Sequence, residues 1–230
     1  MVPLSFAGEE WLLTRSGALF WPRESALLVA DLHLEKGSFF ASRGQMIPPY
    51  DSRETLGRLA EAIRDTGARR VFALGDNFHD AGGPQRMEPH AAGMLAALTR
   101  ATEWVWISGN HDGGTDEWQG GTVLDEFECG LVVLRHEARP GELKAELSGH
   151  FHPRLRIVAR GRRITRPCAI RASAGPGGGR MILPAFGAFT GGMDAADPAI
   201  RQALQPAREI DALVLTAGRV ATFPLWRDAA

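Results

Sequence analysis

Four short stretches of this chain hold the residue types that bind metal ions. Asp31-Leu32-His33 sets a carboxylate and an imidazole two residues apart. Gly75-Asp76-Asn77 adds a second carboxylate, and Gly109-Asn110-His111-Asp112 adds an amide beside an imidazole. Gly149-His150-Phe151-His152 sets two imidazoles two residues apart. At an extended strand end, side chains two apart point the same way, so each such pair is expected on one side. Gly75, Gly109 and Gly149 directly precede candidate ligands. A missing side chain lets the backbone turn sharply and come close to an ion. Singly the pieces are weak: Asp-x-His arises by chance, and Gly-Asn-His-Asp also suits a turn. Together they gain weight, because four of the seven histidines fall inside them. Mixed oxygen and nitrogen donors suit manganese, iron or zinc better than magnesium or calcium. Two cysteines, Cys129 and Cys168, are too few for an all-thiolate zinc site.

The elements around these stretches should bring them together. Leu4–Phe6, Trp11–Leu13 and Ala18–Trp21 read as short strands of a meander. Leu27–Asp31, Val71–Leu74 and Val105–Ser108 are apolar runs expected as strands buried on both faces. Between them, residues 51–65 and 88–100 carry apolar residues at helical spacing. The first helix should place Leu56, Leu59, Ala60 and Ile63 on one stripe, with Asp51 and Glu54 forming a capping box. The second should turn Ala91, Met94, Leu95 and Leu98 inward. Strands alternating with helices predict an α/β fold with a mainly parallel sheet. In open α/β sheets, sites form beyond the carboxyl ends of the strands, which is where the candidate ligands fall. The second half differs. Val123–Phe127, Leu131–Leu134, Lys144–Leu147, Leu155–Val158, Ala169–Ala172 and Leu213–Thr216 predict a second, more antiparallel sheet. The Gly-rich run 175–179 reads as a flexible loop or wide turn.

Bulk properties exclude several classes. The 230 residues suit one domain spanning 1–230, with 44% hydrophobic and 23% charged residues, as in soluble globular proteins. The formal charge of -1 argues neither for nor against nucleic acid. The two cysteines lack CxxC spacing and fit buried thiols in a reducing cytoplasm. The start has no basic stretch leading into an apolar core, so no signal peptide is expected. The longest uncharged apolar stretch, Met181 to Met193, is too short for a bilayer and predicts no membrane partner.

The four motifs, in this order, resemble the calcineurin-like metallophosphoesterase superfamily. The resemblance implies two mixed β-sheets packed as a four-layer sandwich flanked by helices, with two divalent ions at its site. A narrower resemblance spans nearly the whole chain. It rests on Asp31-Leu32-His33-Leu34-Glu35-Lys36-Gly37, Gly149-His150-Phe151-His152-Pro153 and the run Leu183-Pro184-Ala185-Phe186-Gly187-Ala188-Phe189-Thr190-Gly191-Gly192. These are similar to the bacterial ligase-associated DNA damage response endonuclease family, which implies a nucleic-acid substrate and DNA-repair partners. By resemblance, Asp31, His33 and His152 hold one metal, and Asn110, His136 and His150 the other. Asp76 bridges both. His136, in Arg135-His136-Glu137, carries the least motif around it and also reads as a surface residue.

Manganese is the expected ion, with iron and zinc as alternatives. Asp31 and Asp76 would cancel only half the charge of two divalent ions, leaving a site that attracts phosphate. A water bridging the ions would deprotonate near neutral pH and attack phosphorus. By resemblance His111 stands over the metals and protonates the leaving alkoxide, with Asp80 or Asp112 orienting it. Seven arginines between Arg154 and Arg171 form a basic run, and Arg160, Arg162 and Arg163 are candidates for gripping a nucleic-acid backbone. Ordinary surface charge explains them equally well, since Lys36 and Lys144 are the only lysines. Phe39, Phe40 and Tyr50 suit base stacking or, more simply, packing. Phe186 and Phe189 read as packing residues. The leading expectation is an endonuclease on single-stranded DNA or RNA. A phosphatase or pyrophosphatase on a small nucleotide shares the same metal motifs, and an inactive scaffold should have lost some of them.

Overall fold

A computed structural model describes residues 1–113, 120–173 and 178–228. The chain opens with β1 (Val2–Phe6), β2 (Glu9–Leu13), β3 (Leu19–Trp21) and β4 (Ala26–Val29). These pair in sequence order, each antiparallel to the next. Then come α1 (Lys36–Ala41), α2 (Asp51–Thr66), β5 (Arg70–Leu74), α3 (Gly83–Arg86), α4 (Pro89–Ala101), β6 (Glu103–Ile107) and β7 (Thr122–Leu124). The pairings β4–β5, β5–β6 and β6–β7 are parallel, as strand-helix-strand crossovers allow. The first sheet is therefore mixed rather than mainly parallel, because the opening meander joins it edge-on at β4.

The second sheet uses β8 (Glu126–Cys129), β9 (Val132–Arg135), β10 (Ala145–Ser148), β13 (Ala169–Ser173), β14 (Gly179–Ile182), β15 (Glu209–Thr216) and β16 (Arg219–Arg227). Its order is β16-β15-β13-β14-β10-β9-β8. It too is mixed: β9–β10 and β10–β14 are parallel. The single strand expected over Val123–Phe127 is split, since β7 ends the first sheet and β8 starts the second, with only Asp125 between them. The hairpin of β11 (Arg154–Ala159) and β12 (Arg162–Pro167) forms its own two-stranded sheet. The short helix α5 (Pro198–Ala203) precedes β15.

Side chains alternate between the two faces along the strands, and this sets the layers. From β4, Ala26 and Leu28 enter a central core that also holds Trp11, Phe72 and Ile107 of the first sheet and Val132, Leu147 and Leu213 of the second. Leu27 and Val29 face the other way, against Leu56 and Leu59 of α2 and Ala91 and Leu95 of α4. On the far side, Ile200 and Ala203 of α5 pack on Ile170 and Ile210. The result is helix, sheet, sheet, helix.

The cap of α2 differs from the expected box. Tyr50 is the N-cap and makes no side-chain cap bond. Asp51 lies inside the first turn, and its carboxylate accepts the Gly37 amide at 3.1 Å. It ties α1 to α2 instead of capping. Glu88 does cap α4, accepting from the Ala91 and His90 amides. The expected loop at 175–179 falls largely outside the described residues, and Gly179 opens β14. Among the described residues no helix is long and apolar enough to cross a membrane.

Candidate metal centre

Five strands from the two sheets aim their carboxyl ends at one place. Asp31 follows β4, Asp76 follows β5 and Asn110 follows β6. From the second sheet, His136 follows β9 directly and His150 follows β10. Backbone hydrogen bonds lock these strand ends side by side. The amide of His33 donates to the Asp76 carbonyl at 2.8 Å, and that of Gly149 to the His136 carbonyl at 2.8 Å. The His150 amide crosses between sheets to the Asp31 carboxylate, 3.0 Å from both oxygens.

The ligand pairs do not sit on extended strand. Asp31, His33, Asp76, His150 and His152 all have positive φ, between 44° and 72°. The strands have already ended, and the chain turns through the left-handed region that non-glycine residues usually avoid. Such strain gathers at functional sites, where surrounding structure holds it in place. The side chains of each pair still converge, by a turn and not by strand alternation. The glycines act mainly by leaving room. Of the three, only Gly75 has positive φ. A Cβ on Gly109 would lie 2.1 Å from the Asp76 nitrogen, and one on Gly149 would lie 2.7 Å from Asp31 Oδ2. The run from Leu183 to Gly192 buttresses the same loops. The amides of Phe186 and Gly187 donate to the carbonyls of Ala30 and Asp31, and a Cβ on Gly192 would strike the His152 carbonyl at 2.3 Å.

The converging groups form two donor sets that share one carboxylate. Asp31, His33, Asp76 and His152 make the first, and Asp76, His136 and His150 the second. The two oxygens of Asp76 divide between them: Oδ2 lies 3.7 Å from His33 Nε2, and Oδ1 lies 3.4 Å from His136 Nε2. Asn110 Oδ1 joins the second set, 2.9 Å from His136 Nε2 and 3.0 Å from His150 Nδ1. His33 Nε2 and His152 Nε2 face each other at 3.1 Å, as do His150 Nδ1 and His136 Nε2.

These spacings fit a cation. Donor atoms about 2.1 Å from one ion, at ordinary coordination angles, lie roughly 3.0–3.4 Å apart. Facing imidazole lone pairs at that distance repel unless a cation or proton lies between. Asp31 is fully buried and Asp76 is 2% exposed. Among the described residues neither has a Lys or Arg ion-pair partner; their charged-state partners are all imidazoles. Two buried, uncompensated carboxylates call for cations. Burial, and then the neighbouring His152, His111 and His79, push the His33 imidazole down to about 2. Burial and then His136 lower His150. Neutral rings keep the lone pairs that a metal needs. The Leu74 carbonyl accepts from His136 Nδ1 at 3.1 Å, which leaves Nε2 free to ligate.

Residues 25–133 match the family model of calcineurin-like phosphoesterases. The chain carries a calcineurin-like phosphoesterase domain. It is a metal-dependent phosphoesterase, and the motif order and the two mixed sheets agree with that family. Across solved structures, the nuclease MPE of Pseudomonas putida is 28% identical with a TM-score of 0.67, covering 91% of this chain and 95% of that one. The phosphoesterase Yfce of E. coli is 15% identical with a TM-score of 0.45, covering 87% and 98%. A protein of unknown function from Aquifex aeolicus, AQ665, is 14% identical with a TM-score of 0.40, covering 54% and 77%. No curated protein matches the chain.

Around the metal centre of this phosphoesterase, His111 is half-exposed, with Nε2 4.0 Å from Asp76 Oδ2. Neither Asp80 nor Asp112 orients it. Asp80 pairs with Arg86. Asp112 is half-buried and accepts from the amides of Asn77, Phe78 and Gly109, pinning the loop after β5 to the loop after β6. The His79 carbonyl accepts a hydrogen bond from His111 Nδ1 at 3.0 Å instead.

His79 itself is not marked by any of the sequence motifs. Its ring stacks on His111 with centroids 5.6 Å apart and packs against Phe39 and Phe40. Its Nδ1 is 3.4 Å from that of His33. Burial, then Lys36 and His111, push its imidazole down to about 4. Its one signal in the sequence is a further histidine three residues after Asp76. Phe39 and Phe40 therefore pack against a site histidine, whereas Tyr50 is exposed. Phe186 is buried as expected, but Phe189 is 47% exposed and is no packing residue. Arg160, Arg162 and Arg163 sit at the tip of the β11–β12 hairpin. Six extended residues put that tip roughly 20 Å along the strand from the site.

Proposed function

We propose that the chain is a dinuclear-metal phosphodiesterase that cleaves single-stranded nucleic acid internally. The observation that carries this reading is the division of Asp76, one oxygen toward each donor set. A shared carboxylate is how a protein holds two ions close enough to clamp one phosphate. Asp31, His33 and His152 would hold one ion, and Asn110, His136 and His150 the other. Likeness to the Pseudomonas putida nuclease over nearly the full chain supports a nucleic-acid substrate. The donor chemistry favours manganese, with iron or zinc as substitutes. Resemblance to the ligase-associated family supports a role in DNA repair, and two cysteines without CxxC spacing fit a reducing cytoplasm.

Bound cations would supply Lewis acidity and an acidified water. The chain's own groups do the rest. Asp31 and Asp76 leave the pair with net positive charge, so a phosphodiester is drawn in. His111 holds its ring by Nδ1 on the His79 carbonyl and points Nε2 at the site. In its protonated form it gives that proton to the departing oxygen. Arg160, Arg162 and Arg163 would hold the strand farther out on the hairpin.

A manganese activity panel tests the reading: single-stranded DNA, duplex DNA, RNA, a phosphodiester reporter and a phosphomonoester reporter. Internal cuts in circular single strands, with little phosphomonoester turnover, are expected. Turnover of phosphomonoesters or mononucleotides with no strand cleavage would replace this reading with a small-nucleotide phosphatase.

A further inference from the structure

Beside the metal centre lies a cleft of about 730 Å³. One wall is the loop 14–17, another is α2, and the floor is the segment from Pro184 to Thr190. The cleft is joined to the site through the backbone: Gly187 donates to the Asp31 carbonyl, and Arg154 follows His152 by two residues. Its volume falls in the range of pockets that bury a small organic ligand.

Its lining carries an excess of positive charge. Outside it, Arg23, Arg53, Arg70, Arg86, Arg139 and Arg227 pair with carboxylates, whereas Arg43, Arg100 and Arg219, among the described residues, do not. The cleft holds Arg15, Arg58, Arg154 and Arg166 against a single acid, Glu54. Among the described residues none of these four makes an ion pair. Three are steadied by backbone carbonyls instead: Arg58 by Phe186, Arg154 by Thr190 and Arg166 by Thr165. A guanidinium held by a carbonyl keeps its charge and spare N–H groups for an anion. Arg58 Nε is buried and, among the described residues, has no hydrogen-bond partner. Phe189 stands at the same cleft, nearly half exposed, with φ at +56°. An exposed aromatic held in a strained backbone is an arrangement maintained for contact, not for packing.

We propose that this cleft is the track along which a single strand of nucleic acid runs from the metal centre. Arg15, Arg154 and Arg166 take its phosphates, and Phe189 stacks on a base. Unspecific strand binding elsewhere combines the same two parts, a basic groove and an aromatic platform. The inference rests on the nuclease reading above and says where that substrate lies.

Steady-state kinetics with manganese test it on oligothymidylate, oligouridylate and a small phosphodiester reporter. The variants are Phe189→Ala, the double variant Arg15→Gln/Arg166→Gln and, as the mildest, exposed Arg15→Gln alone. Thermal melting and manganese content check the fold of each. The ratio of oligonucleotide to reporter kcat/KM is expected to fall about tenfold in Phe189→Ala and further in the double variant. The slope of log KM against log salt should shrink by about 0.7 for each phosphate that a variant no longer grips. Dependence on both oligonucleotides identifies the sugar-phosphate strand as the ligand; dependence on one alone narrows it to DNA or RNA. Folded variants that cut oligonucleotides with the wild-type ratio and salt slope would overturn the track. Wild-type protein that turns over the reporter but cuts neither oligonucleotide would overturn the nuclease reading itself.

Discussion

With His33 and His79, His111 forms a third cluster of ring nitrogens that could hold an ion, so its role as an acid is tested by a readout apart from metal content. It reaches the site by Nε2 and belongs to neither of the donor sets that share Asp76. A general acid matters most when the leaving oxygen is strongly basic. His111→Asn should therefore cut cleavage of a nucleic-acid strand by about 100-fold or more, within the usual worth of general acid catalysis. Hydrolysis of a p-nitrophenyl ester, whose leaving group departs unaided, should fall far less, and manganese content should hold. Equal losses on both substrates would remove His111 as the acid. At this scale the sequence is informative where glycines and paired ligands mark the chain. His79 stays hidden in it, because its importance lies in a carbonyl and a stacked ring. The left-handed turns at Asp31 and His33 stay hidden too. Alternation along a strand is a rule for extended backbone, and here the backbone has left the strand.

The elements matter to chemistry through how closely their ends approach. The loop after β6 lies against the loop after β5 with no room for a methyl group, since a Cβ on Gly109 meets the Asp76 nitrogen at 2.1 Å. Gly109→Ala should cost about 1–3 kcal/mol by overpacking and displace Asp76. Gly93 in α4 is the control: a Cβ at this position would meet nothing within 4 Å, and the residue sits in a helix interior. Gly93→Ala should stabilise by up to about 1 kcal/mol. Urea unfolding measures both, and a destabilised Gly93→Ala beside an unaffected Gly109→Ala would reverse the argument. The long elements are readable because their apolar periods are strong, as in β4, β5, α2 and α4. β12 escapes notice because its residues are mostly exposed arginine and threonine, and β14 and β16 because neither carries a long apolar run. The short helices α1, α3 and α5 hold six residues or fewer, too few for a helical period to register.

Across the whole molecule, the candidate metal centre lies at the junction of the two sheets. Asp31 and Asp76 come from the first sheet and His136 and His150 from the second, so cations at this junction would bridge the layers. Metal-free protein must keep two buried carboxylates without counter-charge, which weakens the folded state. Ligands that bind only the folded form stabilise it by mass action, about 2.7 kcal/mol at a hundred times Kd. For a chain of 230 residues, each kcal/mol moves Tm by about 2–4 °C. Manganese at that excess should thus raise Tm by roughly 5–10 °C over protein stripped with a chelator. Asp76→Asn removes the charge that both donor sets share. Its stripped form should melt no lower than stripped wild type, since one uncompensated carboxylate is gone, yet manganese should barely move its Tm. Calorimetry of the four samples gives the answer. A manganese shift in Asp76→Asn equal to that of wild type would mean that the ions stabilise the protein somewhere other than the junction of the sheets.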